Sequence, residues 1–329
     1  SGDSRIVSTK EIIKDFTVKI HKITKISNYL SEIIISAPLL AKSSSIGQIF
    51  RLQNYHTFAA KRRDQILAME GVAVTALNVD KENGLITGII LDFGGSTSLI
   101  KNFKKGEPCI FMGPSGNATE ITKDETVLLI GGGRGNMPLI AIAEEFKKNN
   151  CKIIFCAAYR QDTDITRQNE IKKVSDILIY AVEGISQNQE YQHLQDVKIQ
   201  GNVTQVLQKY FAKNHHKIDR IFTIGNDKMM AEIARIRHEN IIPEIAQAPI
   251  AIASLNAPMQ CMMKGVCSQC LQKRQNENGE YEYFYACAVQ DQNMDRIDFK
   301  HLTARCDQNS TQEKMTKLWI EYLNSIDLV

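Results

Sequence analysis

The period of the hydrophobic pattern changes near residue 121, and this change limits the fold of the chain more than any other feature. Before it, short apolar segments are separated by turns, and in residues 16–21 apolar and polar residues alternate as in a half-buried strand. Residues 80–84 end in an Asn-Gly pair between two apolar segments, which predicts a β-hairpin. We therefore expect a small β-barrel over residues 10–120, in which residues 53–69 form a loop with a helical turn.

Beyond residue 121, apolar segments with the length of buried strands alternate with segments of helical pattern. The expected strands cover residues 126–130, 152–156, 177–180 and 221–224. A first helix is expected to end near residue 146, and three others are expected at 166–175, 202–213 and 227–237. Such alternation implies a parallel sheet covered on both faces by helices. Residues 121–245 are therefore predicted to form an α/β domain.

Two further regions follow the α/β domain. Residues 246–300 contain a cluster of cysteines and a polar hairpin at residues 276–279, so we expect a small third domain there. Residues 301–329 are expected to form a helical tail, with Ser310 and Glu313 as its capping box. Five apolar residues of the tail share one helical face, which we expect to pack on the protein itself, with a docking face as the alternative: Met315, Leu318, Trp319, Tyr322 and Leu323.

Composition and charge argue against two classes of partner. The chain has 40 Lys and Arg against 37 Asp and Glu, so no basic face for nucleic acid is expected, and the basic run at residues 61–63 is interpreted as a solvated loop. No apolar run approaches the roughly 18 residues of a membrane span, and the first residues lack the pattern of a signal peptide. We therefore expect a cytoplasmic protein. In that compartment its eight cysteines favour metal ligands or thiols over disulfides.

A run of glycines at residues 131–135 lies between a predicted strand and a predicted helix. Glycines there let backbone N–H groups approach a phosphate, and the start of a helix adds partial positive charge. The run does not match the dinucleotide fingerprint G-x-G-x-x-G, because its third glycine would fall at Asn136. A tight turn without a ligand therefore remains an alternative.

Several segments resemble motifs of the ferredoxin–NADP⁺ reductase superfamily and occur in the same order. They are residues 47–52, 94–97, 113–116, 128–139, 201–204 and 224–230. The resemblance implies an FAD-binding β-barrel over residues 10–120, an NAD(P)-binding α/β domain over 121–245 and a [2Fe–2S] domain over 246–300. The FAD-binding residues that it implies are Ala73, Val74, Thr75, Gly94, Gly95, Ser96 and Thr97. The NAD(P)-binding residues that it implies are Gly132, Gly133, Gly135, Asn136, Tyr159, Arg160 and Asn226.

Within the superfamily, the chain looks most like the electron-transfer subunit of class B dihydroorotate dehydrogenase and the small subunit of NADH-dependent ferredoxin–NADP⁺ oxidoreductases. This likeness implies a redox partner subunit or a fused dehydrogenase domain. One departure concerns Gly71, which stands where the family carries an arginine for the FAD phosphate; Arg51 or the basic run at 61–63 is a possible substitute. A second departure is Asn226, which replaces the proline of the motif at residues 224–230. Arg160 could accept a 2′-phosphate, whereas the similar branch contains NADH users, so NADH and NADPH both remain open.

Four cysteines are candidate ligands of a metal centre. Cys261, Cys267, Cys270 and Cys287 have the spacing C-x5-C-x2-C followed by a distant cysteine, one residue longer at the first gap than the plant-type [2Fe–2S] pattern. Gly265 is expected to absorb the extra residue in a tight turn. A structural zinc site and uncoordinated thiols remain alternatives to the cluster. The other four cysteines are interpreted as buried small hydrophobes or idle thiols: Cys109, Cys151, Cys156 and Cys306.

These features lead to two hypotheses about function. In the first, the chain is an NAD(P)H-dependent oxidoreductase module that passes electrons between NAD(P)H, FAD and a [2Fe–2S] cluster. No catalytic side chain is expected, because the flavin itself couples two-electron and one-electron transfer. In the second, the chain is a redox-silent docking or regulatory subunit with zinc or no metal at its cysteines.

Overall fold

The computed structural model describes residues 10, 17–27, 30–92, 94–185, 198–255, 262–263 and 265–326 of the chain. The chain divides into two compact units. The first unit, here the β unit, comprises Ser1–Ala118, Pro258–Cys270 and Asp307–Val329. The second, here the α/β unit, comprises Thr119–Ala257 and Leu271–Cys306.

The β unit is built on a six-stranded antiparallel sheet with the order β1-β2-β7-β6-β3-β8. Its strands are β1 (Lys19–Ser27), β2 (Leu30–Ser36), β3 (Ile49–Asn54), β6 (Val72–Asp80), β7 (Leu85–Leu91) and β8 (Cys109–Ser115). Every second residue along these strands points inward, and together these residues build one core. In this core the rings of Phe50 and Phe111 stack with their centroids 4.7 Å apart. The β6–β7 pair confirms the hairpin predicted at residues 80–84.

Two short helices and a small hairpin complete this part of the β unit. The helices are α1 (Pro38–Ser43) and α2 (Gly95–Ser98). The hairpin pairs β4 (Lys61–Arg62) with β5 (Gln65–Ile66). The turn expected within residues 53–69 is found at residues 55–59, where Phe58 and Ala59 donate to the carbonyls of Tyr55 and His56 at 3.1 and 3.3 Å. The sequence did not predict the hairpin that follows it, in which Arg63 takes a positive φ of 49° and reverses the chain.

The α/β unit contains a seven-stranded sheet with the order β12-β11-β10-β9-β13-β14-β17. Its strands are β9 (Thr126–Gly132), β10 (Lys152–Gln161), β11 (Ile177–Gly184), β12 (Lys198–Gln200), β13 (Arg220–Ile224), β14 (Ile250–Ser254) and β17 (Asp291–Asn293). All neighbouring pairs are parallel except β14–β17, which is antiparallel. This sheet confirms the predicted parallel α/β architecture.

Five helices and one hairpin accompany this sheet among the described residues. The helices are α3 (Asn136–Lys148), α4 (Gln168–Val174), α5 (Val203–Phe211), α6 (Asp227–His238) and α7 (Pro243–Ala246). Helix α5 begins where the sequence predicts, because Asn202 and Gln205 exchange hydrogen bonds of 3.0 and 3.1 Å in a capping box. The polar hairpin predicted at 276–279 is also confirmed, between β15 (Leu271–Gln275) and β16 (Tyr281–Tyr285).

The C-terminal helix α8 (Phe299–Ile326) is longer than the sequence predicts. Ser310 lies inside the helix and its hydroxyl donates to the carbonyl of Asp307, so the proposed capping box was wrong. The proposed packing of the apolar face was also wrong for four of its five residues. Leu323 is buried, but the other four are 51–67 % exposed: Met315, Leu318, Trp319 and Tyr322. No described helix is long and apolar enough to cross a membrane.

Candidate functional site

The direction in which the strands follow one another reverses between β9 and β13. From β9 the chain proceeds through β10 and β11 to one edge of the sheet, whereas β13 and β14 lie on the other side of β9. Adjacent loops at the carboxyl ends of such strands leave a crevice, which is where open α/β sheets bind ligands. The loops here are the glycine run after β9 and the Gly225–Asn226 pair after β13.

Backbone at this crevice is closely packed, and the glycines are required for it. A Cβ on Gly135 would collide with the backbone carbonyl of Ile224 at the end of β13. A Cβ on Gly132 would lie 2.6 Å from the sulfur of Met229. Gly133 differs from both, because it is exposed with φ 53° and would meet nothing within 4 Å. Gly133 is therefore the position of the run where a ligand can reach the backbone directly.

Asn136 begins helix α3 but is buried, so its side chain faces the protein. Its amide nitrogen donates to the carbonyls of Gly133 at 2.9 Å and Ala158 at 3.3 Å. These two bonds attach the glycine run to the end of β10. The Asn136 side chain therefore stabilises the conformation of the loop.

Tyr159 and Arg160 lie side by side near the end of β10 but face opposite ways. Tyr159 is buried, and burial is the main reason why its pKa is raised, with the Tyr180 ring 6.5 Å away. Arg160 is exposed. Of the two, only Arg160 presents its side chain to solvent near the candidate crevice.

Asn226 is the N-cap of helix α6. Its side-chain oxygen accepts a hydrogen bond of 2.8 Å from the backbone nitrogen of Met229. Such a cap satisfies one of the unpaired N–H groups of the first helical turn. The residue remains exposed, so its amide nitrogen faces solvent at the end of β13.

In the β unit, the candidate residues of β6 divide between two faces. Val74 is buried in the core, whereas Ala73 and Thr75 are half-buried and lie opposite Arg51 and Ile49 of β3. Because side chains alternate along a strand, only Ala73 and Thr75 present side chains on the face away from the core. Val74 contributes backbone groups alone.

Arg51 takes the space beside Gly71. A Cβ on Gly71 would collide with the Arg51 guanidinium and would lie 2.9 Å from its Cδ. The two terminal nitrogens of Arg51 contact Gln53 at 2.5 Å and the Met112 sulfur at 3.7 Å. The buried Nε has no hydrogen-bond partner among the described residues. The pairing of β3 with β6 thus places the Arg51 guanidinium, whose Nε has no partner in the described part of the chain, beside Gly71, where the family carries an arginine.

The basic run at residues 61–63 has a different role. The Nε of Arg62 contacts Asn324 at 3.4 Å, and Arg63 donates to the carbonyl of Ile326 at 2.5 Å. Both partners lie in the last turn of α8, where carbonyl groups carry partial negative charge. These arginines stabilise the end of α8, so Arg51 is the better candidate for a phosphate contact.

The turn at residues 94–97 combines positive φ angles with internal hydrogen bonds. Gly94 and Gly95 have φ values of 92° and 55°, which favour glycine. Thr97 donates to the carbonyl of Gly94 at 2.7 Å, and the buried hydroxyl of Ser96 accepts from the nitrogen of Glu70 at 2.8 Å. The Ser96 bond fixes the turn beside Gly71 and so beside Arg51.

Helix α8 lies directly on this turn, which the sequence did not indicate. A Cβ on Gly94 would collide with the aliphatic stem of Lys317 and would lie 2.7 Å from its Cγ. A Cβ on Gly95 would lie 2.5 Å from a carboxylate oxygen of Glu313, which is buried. The spacing of Glu313 and Lys317, four residues apart, places both on one face of a helix but does not indicate what that face contacts.

The structure describes three of the four candidate metal ligands; Cys261 lies outside the described residues. Cys270 and Cys287 are buried and Cys267 is half-buried. Gly265 has φ 76°, which confirms the tight turn expected in the first cysteine gap. Among the described residues, from which Cys261 is missing, no group of three His, Cys, Asp or Glu side chains could hold a metal ion.

Three of the four remaining cysteines are small buried residues, as expected. Burial raises the pKa of Cys156 to about 12, and burial with the nearby Glu107 carboxylate raises that of Cys109 to about 12. Cys151 is also buried, and its sulfur contacts the carbonyl of Thr122 at 3.4 Å. Cys306 is half-buried. Thiols with such pKa values stay protonated near neutral pH and are poor ligands and nucleophiles.

An antiparallel β unit together with a parallel α/β unit that has a glycine-rich switch point defines the fold class of the flavin reductases. No family model matches the chain. It is 33 % identical over 300 residues to an uncharacterized protein of Rickettsia prowazekii, covering 91 % of this chain but only a third of that protein. It is 26 % identical over 208 residues to the electron transfer subunit of dihydroorotate dehydrogenase B of Fusobacterium nucleatum, covering 62 % of this chain and 72 % of that one.

A solved structure of an NADH-dependent reduced ferredoxin-NADP oxidoreductase has the same fold, with a TM-score of 0.71 and 22 % identity. The superposition covers 94 % of this chain and 98 % of the other. In sequence and in fold, the chain is thus similar to proteins of the ferredoxin–NADP⁺ reductase superfamily.

Proposed function

We propose that the chain is an electron-transfer oxidoreductase module that passes electrons between NAD(P)H, FAD and a [2Fe–2S] cluster, to or from a partner subunit or a fused dehydrogenase domain. The observation that carries this proposal is the switch point of the α/β unit, where Gly132 packs against Gly225 and Met229 at the capped start of α6 and the next residue, Gly133, is exposed. The relative from R. prowazekii supports fusion, because this chain covers only 33 % of it. The relative from F. nucleatum supports a separate subunit, since its name describes one.

For NAD(P)H, the candidate residues divide into those that contact the nucleotide and those that hold the loop. Exposed Gly133 gives a phosphate access to the backbone, and Gly132 and Gly135 let the run pack closely against Met229 and the end of β13. Asn136 and buried Tyr159 fix the loop and the end of β10. Arg160 is available for the ribose or its 2′-phosphate, and the exposed amide of Asn226 for the nicotinamide half.

For FAD, the residues of the β unit fit the group in one respect and oppose it in another. The unpartnered Nε of Arg51, next to Thr75 and Ala73 on the outer face of the sheet, suits an anionic phosphate. Gly94, Gly95, Ser96 and Thr97 would contribute backbone and hydroxyl groups. In opposition, Glu313 and Lys317 cover the two glycines.

For the cluster, Cys261, Cys267, Cys270 and Cys287 would supply four thiolates. The buried positions of Cys270 and Cys287 suit ligands that must be shielded from water, and half-buried Cys267 suits a centre that exchanges electrons with an external acceptor.

Bound FAD would accept electrons in pairs and release them singly, which is chemistry that no side chain here needs to assist as an acid or base. The chain's own residues bind, orient and shield. The Arg51 guanidinium neutralises phosphate charge, the glycine run positions the dinucleotide by backbone contacts, and Asn136 keeps that run in one geometry.

The test is cofactor binding by the folded protein. We expect purified protein to bind FAD noncovalently, with the visible spectrum of a flavoprotein, and NADH or NADPH to bleach that spectrum anaerobically. Protein that is folded by circular dichroism but binds neither FAD nor nucleotide would refute the proposal.

Arg160 is expected to influence the choice of nucleotide. We expect Arg160→Ala to raise the KM for NADPH about tenfold relative to that for NADH, since one charge-assisted contact is lost. Steady-state reduction of an artificial acceptor with each nucleotide measures the ratio. Arg134→Ala, in the adjacent glycine run, is the control. An unchanged ratio would mean that Arg160 does not contact a 2′-phosphate.

A second candidate function is a redox-silent docking or regulatory subunit. The specific observation that favours it is helix α8 lying on the Gly94–Gly95 turn, with the buried Glu313 carboxylate at Gly95. The same cofactor titration separates the two, because a redox-silent subunit would bind zinc or no metal and would not be reduced by NAD(P)H.

A further inference from the structure

The inner face of helix α8 contains a carboxylate, Glu313, and two buried apolar residues, Ile320 and Leu323, which are here called the apolar anchor. Glu313 and Lys317 contact the Gly94–Gly95 turn, and one and two turns further on Ile320 and Leu323 are buried in the core of the β unit. Arg62 and Arg63 contact the last turn of the helix. The end of α8 is thus anchored, while its middle covers the turn.

The atoms on the turn are those that would obstruct a phosphate. A Glu313 carboxylate oxygen lies 2.5 Å from the place of a Cβ on Gly95, and the stem of Lys317 fills the corresponding place on Gly94. Thr316 adds a contact of 3.2 Å at Gly95. A carboxylate and a phosphate have charge of the same sign and similar oxygen geometry, so both cannot occupy this space.

We propose that α8 is an internal competitor of the flavin diphosphate, with the Glu313 carboxylate taking the place of a phosphate at the Gly94–Gly95 turn. The inference rests on the proposed binding of FAD at this turn. In the closed form the helix covers the turn; FAD binds after residues 307–318 move away, while Ile320 and Leu323 remain as the anchor. The chain would therefore hold FAD more weakly than the turn alone permits.

The competition has a quantitative consequence. When only a fraction of the molecules is open, the apparent Kd equals the intrinsic Kd divided by that fraction. Removing the carboxylate raises the open fraction and so lowers the apparent Kd. We expect Glu313→Ala to lower the Kd for FAD about tenfold and Glu313→Gln to lower it less, because glutamine keeps the shape but not the charge.

Asp307→Asn is the matched control. Asp307 is an exposed carboxylate on the same helix, so this variant deletes the same charge away from the turn. Its Kd is expected to equal that of the wild type. Titration of apoprotein with FAD, followed by quenching of flavin fluorescence, gives all four values.

Hydrogen exchange supplies a readout that does not depend on activity. We expect saturating FAD to accelerate amide exchange in residues 307–318 and to leave residues 299–306 unchanged. Equal Kd values for the wild type and Glu313→Ala, or slower exchange in residues 307–318 with FAD, would overturn the competition while leaving FAD binding intact. No FAD binding by folded wild type and folded Glu313→Ala would instead remove the proposed flavin function, and the inference with it.

Discussion

At the scale of single residues, the clearest result is that Arg51 and Gly71 form a complementary pair on neighbouring strands. The guanidinium occupies the space that any side chain at position 71 would need, and β3 pairs with β6 so that Arg51 lies opposite Ala73. The sequence could name Arg51 and the basic run at 61–63 as possible replacements for the missing arginine but could not choose between them, because strand register between distant segments is not readable from either segment alone.

This pairing leads to a prediction about flavin affinity. We expect Arg51→Ala to weaken FAD binding by about 2 kcal/mol, a factor of roughly thirty, since a charge-assisted hydrogen bond to phosphate is lost. Arg51→Lys should recover part of the loss, because lysine keeps the charge without the planar fork. Fluorescence titration measures both variants, and Lys81→Ala, which removes an exposed cation from the β6–β7 turn of the same unit, is the control. Equal Kd values for Arg51→Ala and the wild type would exclude the contact.

A second residue-scale prediction concerns pH and Asp291. Burial raises the pKa of this carboxyl above its ordinary 3.8, although hydrogen bonds from Ser254 and Thr119 oppose the shift. The folded protein therefore holds this proton more tightly than the unfolded chain. The stability that Asp291 contributes is present at low pH and is lost as pH rises through the raised pKa.

We accordingly expect Asp291→Asn to gain stability relative to the wild type as pH rises from 4 to 7. The difference in unfolding free energy between the two proteins is expected to change in favour of the variant over this range, because the wild type loses the contribution of its protonated carboxyl. Urea denaturation at several pH values measures it, with exposed Asp307→Asn as the control. A difference that is the same at both ends of this range would show that Asp291 does not titrate differently in the folded protein.

At the scale of elements, sequence patterns predicted those parts whose signals are local. The β6–β7 hairpin followed from an Asn-Gly turn, and helix α5 from the helical pattern of residues 202–213. The start of α8 was missed because Ser310 and Glu313 have a spacing that fits the interior of a helix as well as a cap. The exposed stripe of α8 was misjudged because periodicity shows which residues share a face, not what covers it.

The strand–glycine–helix pattern around residues 131–135 was predicted correctly from the sequence, but the roles of its individual residues were not. Strand, glycines and helix were all readable, but the contact of Gly135 with β13 joins segments almost ninety residues apart. Asn136 was assigned to the ligand, and the structure turns its side chain inward to Gly133 and Ala158. Both contacts depend on the order of strands in the sheet.

An element-scale prediction follows from Gly135. Its φ of −64° is acceptable to any residue, so a substitution there fails only through contact with the Ile224 carbonyl. We expect Gly135→Ala to lower the free energy of unfolding by about 1–3 kcal/mol because the end of β13 must shift. Urea denaturation measures this change.

Gly133→Asn is the comparison for that variant. It places a side chain at φ 53° with nothing within 4 Å, a conformation that asparagine tolerates. Its expected loss of stability is less than about 1 kcal/mol. Equal losses in the two variants would contradict the assigned contact.

At the scale of the whole molecule, the two candidate cofactor sites lie in different units of the chain. The α/β unit has an open switch point, and the β unit has a basic side chain beside a glycine turn. In the proposed function, these two sites would bind the nucleotide and the flavin.

The whole-molecule prediction concerns the four thiolates that would complete the electron path. We expect anaerobic reconstitution with iron and sulfide to yield a [2Fe–2S] cluster whose reduced form gives a rhombic S = ½ EPR signal. Cys267→Ser should abolish or strongly alter the signal, because one thiolate ligand is replaced by a weaker oxygen donor. Cys306→Ser is the matched control, since Cys306 is equally half-buried but lies outside the set, and its signal should match the wild type. The cluster should also be reduced by NAD(P)H only when FAD is bound. Uptake of zinc alone, together with NAD(P)H-driven reduction of acceptors that survives Cys267→Ser, would contradict the cluster and favour the structural zinc site.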